Sequence, residues 1–163
     1  MTSGATRSAA RVTGGIVPGV PETSSGHDLT PDGIAAGLVG RAVLVVSAAD
    51  TALEMRSGDV EVLSTPRLLA LCEEASMNAL ADAIPDRLTT VAVRVQINHL
   101  APVEVGGAVR ADATLERVDG RRLTFTLAAH ADGSHAQLVG AGRLVRVLVD
   151  RAGFLDKAKG TSR

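Results

Sequence analysis

The chain has 163 residues, a length that suits one folded domain. Its 17 Lys and Arg residues against 18 Asp and Glu residues give a net charge of −1, which excludes the strongly basic surface of a general nucleic-acid binder. One cysteine excludes an internal disulfide and a cysteine-rich zinc site, and with two Phe and no Trp or Tyr the core must consist of aliphatic side chains.

The two ends of the chain lack sustained apolar periodicity. Residues 1–33 are rich in Gly, Ser, Thr, Pro and Ala, which is typical of a flexible tail, although an arm that wraps a partner subunit would have a similar composition. Residues 151–163 predict a frayed or weakly helical C-terminal tail. No segment predicts a membrane span or a secretory signal, and together with the single cysteine this predicts a cytoplasmic protein.

Residues 34–150 are predicted to form the folded domain. Its first predicted strand, residues 41–49, is apolar on both faces, as in a strand that is covered on both sides. A helix is predicted over residues 66–83, with Thr65 as its N-cap residue and Pro85 at its end. The helix has one apolar stripe, formed by Leu68, Leu69, Cys72, Ala75, Ala79, Leu80 and Ala83.

Four more strands are predicted after the helix. They cover residues 89–100, 108–118, 122–131 and 135–149, and Asp-Gly turns precede the last two. A single helix with one apolar stripe can bury that stripe against an antiparallel sheet that curls around it. The pattern therefore predicts an α+β hot-dog fold, in which a curved antiparallel sheet of about five strands wraps one central helix.

Two polar residues lie at the borders of these apolar patterns. Period-two counting places His99 on the same face as Val91, Val93, Val95 and Ile97, where it is either a strand end that reaches solvent or a functional group. Glu73 lies about 100° around the helix from the centre of the apolar stripe. A carboxylate at that boundary loses part of its hydration, which increases its basicity.

Thr65 has two interpretations. As a helix cap, its hydroxyl would accept a hydrogen bond from the backbone of Arg67 or Leu68. The first turn of a helix also carries unsatisfied N–H donors and a partial positive charge, which suit a carbonyl oxygen or an oxyanion. One residue could serve as both cap and catalytic hydroxyl.

These residues together resemble a known enzyme family. Thr65-Pro66, Glu73 eight residues later and the segment Val95-Gln96-Ile97-Asn98-His99-Leu100 resemble hot-dog thioesterases of the fluoroacetyl-CoA thioesterase type. The hairpin Asp119-Gly120-Arg121-Arg122-Leu123 is also similar, and the resemblance covers about residues 40–149.

The resemblance implies hydrolysis of an acyl-CoA thioester to a free acid and a thiol by a Thr–Glu–His set. In this sequence the set falls on Thr65, Glu73 and His99. The resemblance also implies a homodimer with active sites near the subunit boundary. The family's fluoroacetyl-CoA enzyme uses aromatic residues over its site, but residues 56–64 contain none, so the acyl group is left open.

Further residues are candidates for binding a ligand or a metal ion. Arg110, Arg121 and Arg122 are candidates for binding the CoA phosphates, although a solvated strand face would look the same. His130 and His135 flank a turn and predict a surface loop, so no metal is expected. A base and an oxyanion site suffice for thioester hydrolysis, so no cofactor is expected either. The alternative function is a non-catalytic hot-dog module that binds acyl-CoA or another small ligand.

Overall fold

The structure is a computed structural model that describes residues 31, 33–132 and 136–160. Five antiparallel strands form one sheet in the order β1-β3-β4-β5-β2. The strands are β1 (Val39–Val45), β2 (Leu88–His99), β3 (Ala108–Asp119), β4 (Arg122–Ala131) and β5 (Leu138–Asp150). The sheet curls around helix α1 (Thr65–Asn78), and a second helix, α2 (Arg151–Ala158), follows β5. This is the predicted architecture.

Helix α1 buries one face against the sheet. Its buried residues are Leu68, Leu71, Cys72, Ala75 and Ser76. Leu71, which was not in the predicted stripe, is buried, whereas Leu69, which was, is half-buried. A side chain at Gly40 of β1 would overlap the backbone of α1 at Ala75 and Ala79, so glycine is what allows this strand to pass so close to the helix.

The helix is shorter than the predicted 66–83. Beyond Asn78 the chain continues in tighter turns, in which Leu80 donates to the carbonyl of Met77 and Ala83 donates to that of Leu80. These bonds span three residues instead of four, so residues 79–84 still pack in a helix-like way without extending α1.

A β-bulge changes the side-chain phase along β2. The pairing with β5 shifts between Ala92 and Arg94, so an extra residue interrupts the period of two. Thr90 is buried before the bulge, whereas Val95 and Ile97 pack against the core after it. The prediction that Val91 shares a face with Val95 and Ile97 is therefore wrong, but His99 does lie on their face because no second shift follows.

Strand β1 is an edge strand with one exposed face. Val43 and Val45 are each 63% exposed, while Ala42 and Val46 on the other face are buried and Leu44 is half-buried. The prediction of a strand covered on both sides is therefore wrong within this chain. The apolar outer face had suggested burial, but α1 packs on one face of β1 only, and Val43 and Val45 on the other face stay exposed.

The described residues cover only part of the two segments that flank the domain. Residues 1–30, Asp32 and residues 161–163 lie outside the described residues, so the predicted N-terminal tail lies almost entirely outside them. Residues 151–158 form a regular exposed helix, whose N-cap residue Asp150 accepts a hydrogen bond from the Gly153 backbone at 2.8 Å. None of the described helices is long and apolar enough to cross a membrane.

Candidate active site

Ser64 is the residue that caps α1. Its buried side chain accepts a hydrogen bond from the Arg67 backbone N–H at 3.2 Å, and Thr65 is the first helical residue. The prediction that Thr65 is the cap is therefore wrong by one position. Ser and Thr are both good cap residues, and helix ends assigned from sequence are uncertain by a residue or two. The shift leaves the Thr65 hydroxyl available for another contact.

The cap assignment predicts different stabilities for neighbouring variants. Ser64→Ala should lower the free energy of unfolding by about 1 kcal/mol, because it removes a capping acceptor from the first turn. Thr65→Val should lower it by less than Ser64→Ala does, because the exposed Thr65 does not cap the helix and loses only its hydrogen bond to His99. Urea unfolding of the two variants measures both values, and an equal loss in both would contradict the assignment.

Thr65 contacts His99 across the inside of the curled sheet. The Thr65 Oγ1 and His99 Nδ1 atoms are 2.9 Å apart, although the residues are 34 positions apart in sequence. The Nε2 atom of His99 is buried and has no hydrogen-bond partner among the described residues. With the ring proton on Nε2, Nδ1 accepts a hydrogen bond from the threonine hydroxyl. A hydroxyl that donates to an unprotonated imidazole is the arrangement of a nucleophile and its general base.

The environment of His99 favours the neutral ring. Burial lowers the pKa of His99, and the backbone of Ala101 opposes part of this shift. The ring is therefore unprotonated at neutral pH and available to accept a proton.

The lowered pKa predicts the pH dependence of the reaction. A base must be unprotonated to act, so kcat/KM should rise with pH through the His99 pKa. The midpoint of the acid limb should lie below 6.5, the ordinary histidine pKa. An NMR titration of the His99 ring, assigned with His99→Gln, should give the same midpoint. A midpoint above 6.5 in either measurement would contradict a buried neutral base.

A cavity opens beside the Thr65–His99 pair. Its volume is about 370 Å³, and both residues line it. Most of its other lining residues are small or aliphatic, and they include Ala52, Val60, Val62, Leu63, Leu100, Ala101 and Pro102. Neither phenylalanine lies in the cavity, since Phe125 is in the core and Phe154 is on α2. The lining of the cavity is thus mostly apolar and contains no aromatic residue other than His99.

One backbone donor of the first helical turn is available to this cavity. Arg67 N–H donates to the Ser64 side chain, Leu68 N–H donates to the Ser64 carbonyl, and Pro66 has no N–H. Thr65 N–H has no partner among the described residues. It is therefore the backbone donor that is free for an oxyanion, next to the Thr65 hydroxyl.

An ion pair fixes the start of α1. Arg67 Nε lies 2.9 Å from Asp50 Oδ1, and both side chains are largely buried. Asp50 also accepts hydrogen bonds from the side chain and backbone of Ser47. The hydrogen bond from the Ser47 hydroxyl does most to lower the pKa of Asp50. The Ser47 backbone N–H and Arg67 lower it further, so the pKa lies below its usual value despite partial desolvation. The sequence had not indicated this contact.

Glu73 lies at the edge of the helix, as predicted, but with a partner that the sequence analysis missed. Its Oε2 atom is 3.8 Å from Arg146 Nη1, and its side chain is 36% exposed. Arg146 is buried, and it donates to Thr90 Oγ1 at 2.8 Å, to the Thr90 carbonyl at 3.0 Å and to Ser76 Oγ at 3.3 Å. Arg146 lies between Leu144 and Leu148 among the core-facing positions of β5. A charged residue at a core-facing position was the feature of the sequence that could have predicted a buried arginine with a polar partner.

The structure brings together two of the three predicted catalytic residues within one chain. Thr65 and His99 are hydrogen-bonded, but Glu73 lies eight residues along α1 from Thr65. At 1.5 Å per residue these positions are about 12 Å apart along the helix axis. Glu73 does not line the cavity beside Thr65 and His99.

The three predicted phosphate-binding arginines do not form a group. Arg110 pairs with Asp112 at 3.2 Å, and Arg121 donates to the Leu148 carbonyl at 2.9 Å. Arg122 is exposed on β4, and none of the three lines the cavity beside His99. Their role in binding CoA stays a prediction.

Cys72 and His130, two other residues considered from the sequence, lie outside the candidate active site. Burial raises the pKa of Cys72 to about 11, so it is a core thiol and not a nucleophile. His130 lies on β4, while His135 falls outside the described residues. Within the described ranges, no three His, Cys, Asp or Glu side chains are placed to hold a metal ion.

Comparison with known proteins agrees with the fold. A family model described as the fluoroacetyl-CoA-specific thioesterase FlK matches residues 46–152. The chain belongs to this family. It is a thioesterase, an enzyme that hydrolyses thioesters, and the resemblance seen in the sequence is confirmed.

Solved structures of this thioesterase's relatives share its hot-dog fold. The fluoroacetyl-CoA thioesterase FlK is 25% identical, with 81% of this chain and 100% of that chain covered and a TM-score of 0.72. A hot-dog-like protein from Thermanaerovibrio acidaminovorans is 26% identical over 79% of this chain and 93% of its own, with a TM-score of 0.70. A thioesterase superfamily member from Thermus thermophilus is 23% identical over 77% and 91%, also with a TM-score of 0.70. No curated protein sequence gives a significant match.

Proposed function

We propose that this thioesterase hydrolyses acyl-CoA thioesters and that Thr65 and His99 carry the first step. The observation on which the proposal rests is the 2.9 Å contact between the Thr65 hydroxyl and Nδ1 of the half-buried His99 imidazole, beside a largely aliphatic cavity. A base held against a hydroxyl at this distance contributes about 10²–10⁴-fold to the rate. Thioesters are activated acyl groups, so this pair and an oxyanion donor suffice.

The proposed reaction begins with attack by the threonine hydroxyl. Thr65 Oγ1 attacks the thioester carbonyl carbon and gives its proton to His99 Nδ1, while the backbone N–H of Thr65 donates to the oxyanion. The C–S bond then breaks, and the leaving thiolate takes the proton from His99. The acyl group remains as an ester on Thr65, and a water molecule hydrolyses this ester to release the acid and restore the hydroxyl. Attack by water on the thioester itself is the alternative, and mass spectrometry of acid-quenched enzyme distinguishes the two by the acyl adduct on Thr65.

We propose that Glu73 acts on that water in the active site of the other subunit of a homodimer. Thr65, Leu69 and Glu73 recur every four residues and lie on one side of α1, where each is at least partly exposed. If two α1 helices pack antiparallel with a twofold axis beside Leu69, Thr65 of one subunit is level with Glu73 of the partner subunit. Arg146 would then hold the carboxylate in place from the core side.

The second copy has an edge available for pairing. Strand β2 lies at the end of the sheet, so one side of its backbone is unpaired in the single chain. His99 ends this strand and Thr65 contacts it, so pairing of two β2 edges would place both active sites at the subunit boundary. The cytoplasmic location also belongs to this proposal, since Cys72 is a buried free thiol that fits a reducing compartment.

The proposed acyl group is aliphatic. Structures of FlK contain acetyl-CoA in one case and fluoroacetate with CoA in another, so that enzyme binds both parts of such a substrate. The cavity of this chain has no aromatic side chain other than that of His99 among its lining residues. We therefore expect aliphatic acyl groups to be preferred, with no particular preference for a fluorinated one.

Release of free thiol from a panel of acyl-CoA thioesters tests the proposal. Turnover of acetyl-, butyryl- and octanoyl-CoA should be measured beside fluoroacetyl-CoA at equal concentrations. Hydrolysis of at least one aliphatic thioester at a rate that depends on Thr65 and His99 would support the proposal. If none is hydrolysed and a CoA ester still raises the melting temperature, a binding module that has lost catalysis is the better description.

A further inference from the structure

A second cavity lies on the convex side of the sheet, the side opposite α1. Its volume is about 250 Å³. Six residues from four strands line it: Arg94, Gln96, Arg117, Thr124, Arg143 and Val145. Three of the six carry a guanidinium group, and neither the thioesterase site nor the core uses any of them.

The sheet register explains why these arginines meet. Arg117 pairs with Thr124, Thr124 pairs with Val145, and Val145 pairs with Arg94, so the four residues form one row across β3, β4, β5 and β2. Neighbouring strands are about 4.8 Å apart, which places Arg94 and Arg117 about 14 Å apart at the ends of the row. Thr124 and Val145 are short, so two long side chains can extend over them from both ends. Arg143 lies on the same face, two residues from Val145.

Both outer arginines follow a β-bulge. The pairing of β2 shifts between Ala92 and Arg94, and that of β3 shifts between Leu115 and Arg117. A bulge bends its strand and re-aims the side chain that follows it, and bulges are enriched beside functional sites. The two irregularities of these strands therefore fall at the two positions that close the cavity.

The charge in this cavity is unbalanced. Arg143 lies 3.0 Å from Glu116 Oε1, and Glu116 also accepts a hydrogen bond from Thr126. Neither Arg94 nor Arg117 has an ion pair or hydrogen bond within the part of the chain that the structure describes. Three guanidinium groups thus face one carboxylate, although the whole chain has a net charge of −1. Like charges gathered in this way repel each other unless an anion lies between them.

We propose that Arg94, Arg117 and Arg143 form a binding site for phosphate groups of a small molecule. Guanidinium groups donate in a planar fork that matches phosphate oxygens, and the Thr124 hydroxyl and Gln96 amide add neutral donors on the floor and rim. The phosphates come either from the CoA part of the thioester substrate or from a separate phosphorylated ligand. The first source rests on the proposed function. It requires CoA to pass around the His99 end of β2, because Gln96 is three residues from His99, about 10 Å along the strand, and faces the opposite side of the sheet.

Direct binding tests the site without any turnover. Adenosine 3′,5′-bisphosphate and inorganic pyrophosphate should each be titrated calorimetrically into the wild type and into Arg94→Gln/Arg117→Gln. We expect the double variant to bind at least about tenfold more weakly, because two charge-assisted contacts are lost. Arg87→Gln/Lys157→Gln removes two positive charges from exposed positions elsewhere and should bind within about twofold of the wild type. Equal binding by both double variants, or no binding by the wild type, would overturn the proposal.

Kinetics separate the two sources. If the phosphates belong to CoA, Arg94→Gln/Arg117→Gln raises KM for an acyl-CoA at least about tenfold and leaves KM unchanged for the N-acetylcysteamine thioester of the same acid, which has no phosphate. If both KM values are unchanged while bisphosphate binding is lost, the site serves a separate phosphorylated ligand. Binding that depends on Arg94 and Arg117 in a protein that hydrolyses no thioester would sustain this inference while the proposed function fails.

Discussion

Replacement of His99 by alanine should lower kcat for thioester hydrolysis by about 10²–10⁴-fold, which is the contribution of a well-placed general base. The imidazole lies 2.9 Å from the Thr65 hydroxyl, and burial keeps it unprotonated at neutral pH. Alanine removes the group that accepts the hydroxyl proton but leaves most of the cavity wall in place. KM should therefore change much less than kcat. Thiol release at saturating acyl-CoA measures the effect.

The chain offers matched controls for this experiment. Asn98 is the neighbour of His99 on β2 and is exposed on the opposite face of the sheet, so Asn98→Ala should keep activity within about twofold. Thr65→Ser keeps a hydroxyl and should retain most activity, whereas Thr65→Val should lose as much as His99→Ala. Because the two residues act in one step, combining Thr65→Val with His99→Ala should cost little more than either change alone. A folded His99→Ala variant with wild-type kcat would remove His99 from the mechanism.

Mixing two inactive variants should restore activity if Glu73 works across the dimer. Thr65→Val and Glu73→Gln homodimers should each lose about 10²-fold or more of kcat, because each lacks one group in both sites. In a mixed dimer, the intact Thr65 and the intact Glu73 meet in one of the two sites. Random reassembly of equal amounts yields about half mixed dimers, so the mixture should recover about a quarter of wild-type activity. The assay requires dissociation in mild denaturant and refolding of the mixture before thiol release is measured.

The same experiment has internal controls. Thr65→Val mixed with His99→Ala should recover nothing, because these two residues meet within one chain and every site would lack one of them. Glu74 is adjacent to Glu73 and fully on the exposed side of α1, so Glu74→Gln should remain active. The other outcome is a mixture of Thr65→Val and Glu73→Gln that regains no activity even though sedimentation shows that dimers form. That result would contradict a role for Glu73 in the partner's site and leave it only its contact with Arg146 in its own subunit.

The helix and strands were largely predictable because burial imposes a period on the sequence. The alternating apolar residues of β3 and β4 are buried as predicted, from Val109 to Leu115 and from Leu123 to Ala129. One apolar helix among antiparallel strands leaves few ways to bury a single stripe, so the hot-dog fold followed from the same pattern. The motif residues Thr65, Glu73 and His99 also identified the family before any contact was known.

The wrong predictions are those in which a shift of one residue changes the assignment. The bulge in β2 shifted Val91 to the other face, and the cap moved from Thr65 to Ser64. A β-bulge adds one residue to a strand but requires no particular residue type at that position. Ser and Thr cap helices about equally well. Local propensity therefore does not distinguish the alternatives, and packing of the whole chain selects between them.

The sequence by itself determined the element types, the core positions of β3 and β4, the family and the three residue types of the proposed catalytic set, because these depend on local periodicity and short motifs. Only the tertiary structure decided that Thr65 bonds to His99, that Arg146 lies beneath Glu73, and that Arg94 and Arg117 share a cavity. Each of these contacts joins residues that are far apart in the chain. Strand order, register and bulges set such distances, and they result from the packing of all elements together and not from the residues nearby in sequence.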